Sequence, residues 1–284
     1  MQKTILFKLT LVILGFVGLT ACEHQIDFDF PTAESVVVFD GRISNEDVFV
    51  RISKTRPMSD TSKEQFVSNA QVWIASDDGN EEQLVYNEQE KCYQSATGLV
   101  GIPGHTYQMR ATVDGRDYFA SSTMQQPALI DTVYFRWLKV LNERIYFYCL
   151  KGTDAIPNER NYYVCRLMRG DEVFRWNPRS GRSSVNGAFE YDIICSNESA
   201  MEKGIDDDGK IPLMDGDTIR MELMSIDRTS WLFFQSLVIS QSTTANPITN
   251  IEGGAQGVFI AANISRGDTL VFNRQEVLKH KEEK

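Results

Sequence analysis

The chain has 284 residues and a formal net charge of −10, from 39 acidic and 29 basic side chains. An acidic surface repels phosphate backbones, so the composition excludes nucleic acid as an expected partner. The length is sufficient for one large domain or two ordinary ones.

The first residues have the pattern of a bacterial export signal. Lys3 and Lys8 form a basic segment, and an apolar run follows at residues 11–17. This run is too short to cross a bilayer, which takes about 20 residues. Residues 1–21 are therefore predicted to be a signal peptide that is removed, and no later segment is apolar enough to span a membrane.

The signal ends with Leu19, Thr20, Ala21 and Cys22, which resemble the lipobox of bacterial lipoproteins. In such proteins the cysteine thiol is acylated and the chain is cut before it. An ordinary signal peptide followed by an unrelated cysteine is the alternative. Two or more acyl chains hold a protein firmly on a membrane. The motif therefore predicts a lipid-anchored protein.

A β pattern follows a short acidic tether at residues 22–35. Short runs of alternating apolar residues recur at intervals of about ten residues, as in antiparallel β-sandwiches. The Asp-Gly pairs in "SDDGN" and "TVDGRD" predict tight hairpin turns. Pro127 would interrupt a strand. An immunoglobulin-like sandwich is therefore predicted over residues 36–126.

A second β-rich region predicts another antiparallel sandwich over residues 127–274. Its polar stretches 177–187 and 196–210 are expected to be surface loops, and residues 275–284 a charged tail. The predicted fold class is thus mostly β, with two consecutive antiparallel β-sandwich domains of immunoglobulin-like type.

One helix is predicted in the second domain, near residues 228–240. Asp227 can accept hydrogen bonds from the free amides of a first helical turn. Trp231, Phe234 and Val238 recur at helical spacing and form one apolar stripe. The helix is expected to cover the core of the sandwich.

Four cysteines follow the lipobox: Cys92, Cys149, Cys165 and Cys195. They form no C-x-x-C motif and no cluster with histidine, so a structural zinc site is not expected. Buried free thiols are the preferred interpretation. A disulfide between Cys149 and Cys165 is the alternative, because these residues flank a predicted turn near Pro157.

Three consecutive acids in "GIDDDGK" are the candidate metal ligands: Asp206, Asp207 and Asp208. Oxygen ligands in a glycine-containing loop suit a hard cation such as calcium. The alternate-residue spacing of an EF-hand is missing, however, and consecutive acids usually mark a solvated turn. The sequence therefore predicts no metal and no other cofactor.

Catalytic motifs are also missing. The sequence has no G-x-S-x-G, H-E-x-x-H or phosphate-binding glycine loop. His24, His105 and His280 are not placed near a serine or cysteine in a recognisable nucleophile pattern. The chain is predicted not to be an enzyme, although spacing alone leaves a pair of catalytic carboxylates open.

Aromatic residues cluster on adjacent predicted strands, where they could stack on sugars, grip an extended peptide or fill a core. The clustered tyrosines are Tyr146, Tyr148, Tyr162 and Tyr163. Core packing is the preferred interpretation. Trp137 and Trp176 are the first aromatic residues to test for ligand contact.

Several segments occur in an order that resembles a known family. They are "CEHQIDFDFP", "VVVFDGRIS", "VSNAQVWIASDDGN", "GIPGHTYQMRATVDGRDYFASSTM", "IDTVYF", "NYYVCRLMRGDEVF", "GDTIRMELMSID" and "NIEGGAQGVF". Together they resemble the Bacteroidota lipoprotein family called domain of unknown function 4249, over nearly the whole chain after Cys22.

The resemblance implies an outer-membrane lipoprotein that faces the cell exterior and assists a TonB-dependent receptor in nutrient uptake. It assigns no catalytic residue and no ligand. A structural or assembly lipoprotein of the envelope, or an adhesin, is the alternative function. Fold alone does not decide between these roles.

Overall fold

The computed structural model describes residues 34–57, 60, 62, 64–182, 186–206, 209–243 and 245–279. Several residues singled out above lie outside this part of the chain: Leu19, Thr20, Ala21, Cys22, His24, Asp207, Asp208 and His280.

The described residues form fifteen strands and three helices. The strands are β1 (Val37–Ser44), β2 (Val48–Lys54), β3 (Gln71–Ser76), β4 (Glu81–Gln83), β5 (Val85–Asn87), β6 (Cys92–Gln94), β7 (Thr106–Val113), β8 (Arg116–Thr123), β9 (Leu129–Val140), β10 (Glu143–Thr153), β11 (Arg160–Arg169), β12 (Glu172–Arg182), β13 (Ala188–Asn197), β14 (Thr218–Ile226) and β15 (Gln256–Val271). The helices are α1 (Glu198–Lys203), α2 (Arg228–Ser240) and α3 (Arg274–Lys279).

The strands form three sheets, and the predicted mostly β sandwich class is confirmed. The eight-stranded sheet has the order β12-β11-β14-β15-β1-β2-β6-β5. The four-stranded sheet has the order β4-β3-β7-β8, and the three-stranded sheet has the order β13-β10-β9. All pairings between these strands are antiparallel except that of β1 with β15, which is parallel.

The long strand β15 connects the two halves of the chain. Its residues 256–262 pair with β1, and its residues 263–271 pair with β14. From Ser35 onward the chain forms one compact unit. The structure therefore differs from the predicted consecutive domains 36–126 and 127–274, because one strand completes a sheet that crosses their boundary.

The unit contains two large hydrophobic cores. The first is bounded by the four-stranded sheet and by β1 and β2, and the second by the three-stranded sheet and by β11 and β14. Tyr107, Met109 and Phe259 belong to the first core, whereas Leu150 and Leu223 belong to the second. Because Phe259 belongs to the first core although it follows residue 127, the predicted boundary does not separate the residues of the two cores.

Helix α2 occupies the predicted residues and begins at the predicted cap. The Asp227 carboxylate accepts the amide of Ser230 at 2.7 Å. The helix packs on β11, β12 and β15, where Trp231 and Phe234 contact a third apolar cluster. Within the described residues, no helix has the length and apolar character that crossing a bilayer requires.

Three expectations about polar segments were wrong. Strand β12 continues through Pro178, which its position at the edge of the eight-stranded sheet tolerates. Helix α1 forms inside the second predicted loop because Asn197 caps it. Helix α3 replaces the start of the predicted tail, since Val277 is buried in the second core.

Gly257 permits the parallel pairing of β15 with β1. Its φ is +97°, and a Cβ atom there would overlap the carbonyl oxygen of Phe39. Gly79 has a similar φ of +91°, but a Cβ atom there would meet nothing within 4 Å. Substituting each of the two glycines therefore distinguishes the free-energy cost of a left-handed backbone from that of steric overlap.

We expect Gly257→Ala to destabilise the full-length protein by about 3 kcal/mol or more, because overlap with Phe39 adds to backbone strain. The control Gly79→Ala should cost only about 1 kcal/mol, from backbone strain alone. Urea unfolding followed by circular dichroism would measure both free energies. Equal destabilisation would contradict the close approach of β1 and β15.

Candidate functional site

A groove lies on the outer face of the four-stranded sheet. Alternation along the strands buries Val72 and Ile74 on the inner face. Trp73 lies between them in sequence and therefore faces outward. The groove has a volume of about 340 Å³. Because the groove lies on a regular sheet, the register of the strands determines which side chains line it.

One row of large side chains crosses the sheet beside the groove. Trp73 on β3 is paired with Arg110 on β7, which is paired with Phe119 on β8. Residues paired in this way share a face of the sheet. The guanidinium carbon of Arg110 is 5.7 Å from the ring centroid of Trp73, within cation–π range. Phe119 is 46% exposed, so its ring remains accessible.

A second row, two residues away along each strand, has small side chains at both of its ends. Ala75 is paired with Gln108, and Gln108 is paired with Ser121. All three residues line the groove. The small side chains of Ala75 and Ser121 leave a depression beside the row of large ones. The contrast in size between neighbouring rows therefore produces the concave shape.

Acidic residues line both ends of the groove. Glu81 is paired with Ala75 at one end, and its carboxylate is 3.3 Å from the Arg110 guanidinium. Glu252 is at the other end, where its backbone exchanges two hydrogen bonds with Phe119, at 2.7 and 3.3 Å. Two carboxylates and one guanidinium give the groove a small net negative charge.

The next residue, Glu82, holds the hairpin that carries Glu81 in place. The Glu82 carboxylate accepts hydrogen bonds from Ser95, Ala96 and Thr97, at 2.7 to 3.1 Å. Partial burial opposes ionisation of Glu82, but the hydrogen bonds outweigh it, and the pKa falls below its usual value. Charged Glu82 thus ties β4 to the loop before residue 99.

The aromatic residues that the sequence singled out lie in cores instead of in the groove. Tyr146, Tyr148 and Tyr163 are buried in the second core. The ring of Trp137 packs partly against the same core, and Arg144 stacks on it at 5.5 Å. This outcome agrees with the preferred interpretation of core packing.

The remaining aromatics of that set lie under helix α2. Tyr162 contacts Trp231, and Trp176 contacts Phe234, with ring centroids 5.4 and 5.8 Å apart. Trp73 and Phe119 were not predicted from the sequence to be groove residues. The available signal was a tryptophan at an outward-facing position of a strand, between two buried aliphatic residues.

Cys149 and Cys165 do not form a disulfide in the structure. Cys149 is on β10 in the three-stranded sheet, and Cys165 is on β11 in the eight-stranded sheet. These strands are not hydrogen-bonded neighbours, because β10 pairs with β9 and β13. All four described cysteines are buried free thiols. The alternative prediction of a disulfide between Cys149 and Cys165 is therefore wrong.

Asp206 is engaged in protein contacts. Its carboxylate is 2.5 Å from the Arg175 guanidinium and accepts the amide of Lys210 at 2.8 Å. In the described part of the chain, no three histidine, cysteine or acidic residues are grouped so as to hold a metal ion. His105, just before β7 begins, contacts the Asp77 carboxylate at 2.7 Å.

The comparisons with known proteins identify a family. The model of the family described as "domain of unknown function (DUF4249)" matches residues 23–268, so the chain belongs to this family. No curated protein matches the sequence.

Among solved structures, the selenomethionine-substituted interferon gamma receptor alpha chain from chicken is similar over 67% of this chain and 88% of its own length. The two sequences are 8% identical, and the TM-score is 0.18. A likeness at this level carries no argument about function.

We expect the four buried thiols to resist Ellman's reagent at pH 8 in folded Cys22→Ser protein. Burial raises the pKa of Cys165 and Cys195 to about 12, and it raises the pKa of Cys92 and Cys149 too, so little reactive thiolate exists at pH 8. Unfolding in urea without reductant should release four reactive thiols. A yield of two, rising to four after reduction, would contradict the free state of Cys149 and Cys165.

Proposed function

We propose that this chain is a lipid-anchored binding protein of the outer membrane and an accessory subunit of a TonB-dependent receptor. The groove on the four-stranded sheet is the observation that carries the binding role. It combines accessible aromatic rings with amide, guanidinium and carboxylate groups, which are the usual components of a recognition site. The lipobox supports the anchor, and the family resemblance supports the receptor.

The proposed role is non-catalytic. The groove is lined by two carboxylates, Glu81 and Glu252, but its described lining includes neither a histidine nor a cysteine. A pair of carboxyl groups about 5 to 9.5 Å apart can catalyse hydrolysis by itself, but the backbones of Glu81 on β4 and Glu252 beside β8 are four strand spacings, about 19 Å, apart. Binding without a covalent step is therefore the function that this set of side chains supports.

An envelope assembly role is the second candidate, and helix α2 favours it. Val238 and Ile239 are 40% and 51% exposed, and Ile248 after the helix is 57% exposed. Between Arg228 and Ile251 the sequence has no acidic residue, and Arg228 is its one charged residue. An uncharged, apolar surface on an acidic protein suits contact with another protein.

We expect Cys22→Ser to move the protein from the membrane fraction to the soluble fraction of its native host. The change removes the sulfur that would carry the acyl chains, and without those chains the membrane affinity is lost. Metabolic labelling with an alkyne fatty acid and cell fractionation would measure both effects. The control Cys92→Ala alters a thiol outside the lipobox and should leave labelling intact. Labelling of Cys22→Ser would contradict the anchor.

Affinity purification of the tagged full-length lipoprotein from detergent-solubilised outer membranes tests the receptor association. We expect mass spectrometry to identify a TonB-dependent receptor recovered at a fixed ratio. Recovery as a lone monomer would contradict the accessory role. Recovery of an envelope assembly protein that is lost in Val238→Asp/Ile239→Asp, but kept in Phe119→Ala, would favour the second candidate.

A further inference from the structure

We propose that the groove on the four-stranded sheet binds a neutral oligosaccharide. This inference deepens the proposed binding role and rests on it. The groove brings together flat apolar surfaces, hydrogen-bonding groups of both kinds and an open shape. Each of these three features restricts the class of ligand.

The partly exposed ring of Trp73 and the exposed ring of Phe119 set the first restriction. Trp73 and Phe119 lie two strands apart in the same row, which places their backbones about 10 Å apart. Two successive pyranose rings can bridge this distance. One face of many pyranoses is a patch of C–H groups, and such a patch packs on an aromatic ring through dispersion and weak C–H···π contacts.

The polar groups set the second restriction. Gln108 offers an amide donor and acceptor, Arg110 offers guanidinium donors, and Glu81 and Glu252 offer acceptors. Within the described residues, the side chains of Gln108 and Glu252 have no hydrogen bond or ion pair to the protein. A sugar hydroxyl both donates and accepts, so adjacent hydroxyls match a mixed set of this kind.

Charge excludes phosphorylated and other acidic ligands. The guanidinium of Arg110 already faces the Glu81 carboxylate at 3.3 Å, and a second acidic residue, Glu252, lines the other end of the groove. An anionic ligand would therefore meet a net negative site on a protein of net charge −10. A neutral ligand avoids this repulsion.

Backbone geometry disfavours an extended peptide at the Phe119 end of this groove. A peptide strand is normally held by the free N–H and C=O groups of a sheet edge. Beside the groove, the outward N–H and C=O groups of Phe119 on edge strand β8 are already bonded to Glu252. The groove offers the face of the sheet, where side chains and not backbone groups make the contacts.

A neutral-glycan array probed with the full-length lipoprotein tests the proposal, in a detergent without a sugar headgroup. We expect at least one neutral oligosaccharide to bind. In isothermal titration, Trp73→Ala and Phe119→Ala should each weaken that binding about tenfold or more, as expected for loss of an aromatic contact. Ser121→Trp, which fills the depression, should abolish it.

Phe49→Ala is the matched control, because Phe49 is a partly exposed aromatic on β2 in a different sheet. It should bind the glycan like the wild type, and thermal unfolding would verify that every variant is folded. Absence of any bound neutral glycan, exclusive binding of acidic glycans, or equal binding by folded Trp73→Ala and Phe119→Ala would overturn the proposal. If any of these results is obtained but the receptor still co-purifies with the protein, the accessory role stands and only the proposed oligosaccharide ligand is ruled out.

Discussion

Strand β15 hydrogen-bonds to β1 along its first half and to β14 along its second half, and both halves of the chain depend on this double pairing. The amide side chain of Asn45, just after β1, continues the ladder by bonding both backbone groups of Ile264. Close approach of the two strands requires Gly257. A single strand therefore completes the eight-stranded sheet and supplies residues to more than one apolar cluster.

Buried polar groups reinforce the same junction. Glu222 on β14 is 3% exposed and meets Arg166 at 2.5 Å and Arg266 at 3.0 Å, while Arg266 also pairs with Glu46 near β1. Burial lowers the pKa of Arg166, and the charge of Glu222 opposes that effect. Removing Glu222 would leave the buried charge of Arg166 uncompensated, which is strongly destabilising. The network thus helps to specify how β1, β14 and β15 are aligned.

The segment before β15 links this junction to the groove. Glu252 pairs with Phe119 at the edge of β8, and a Cβ atom at Gly253 would lie 2.7 Å from the carbonyl oxygen of Asp117. Gly253, which allows this close packing, precedes Gly257 by only four residues. The backbone that closes one end of the groove therefore leads directly into the strand that joins the two halves of the chain.

Local pattern in the sequence determined the mostly β class, the hairpin turns and the helix capped by Asp227, because each depends on residues close together along the chain. The outward position of Trp73 was also readable from alternation. The parallel pairing of β15 with β1, the opposition of Trp73, Arg110 and Phe119, and the closure by Glu252 were decided only by tertiary structure. These contacts join residues far apart in sequence, and no local periodicity records which distant strands become neighbours.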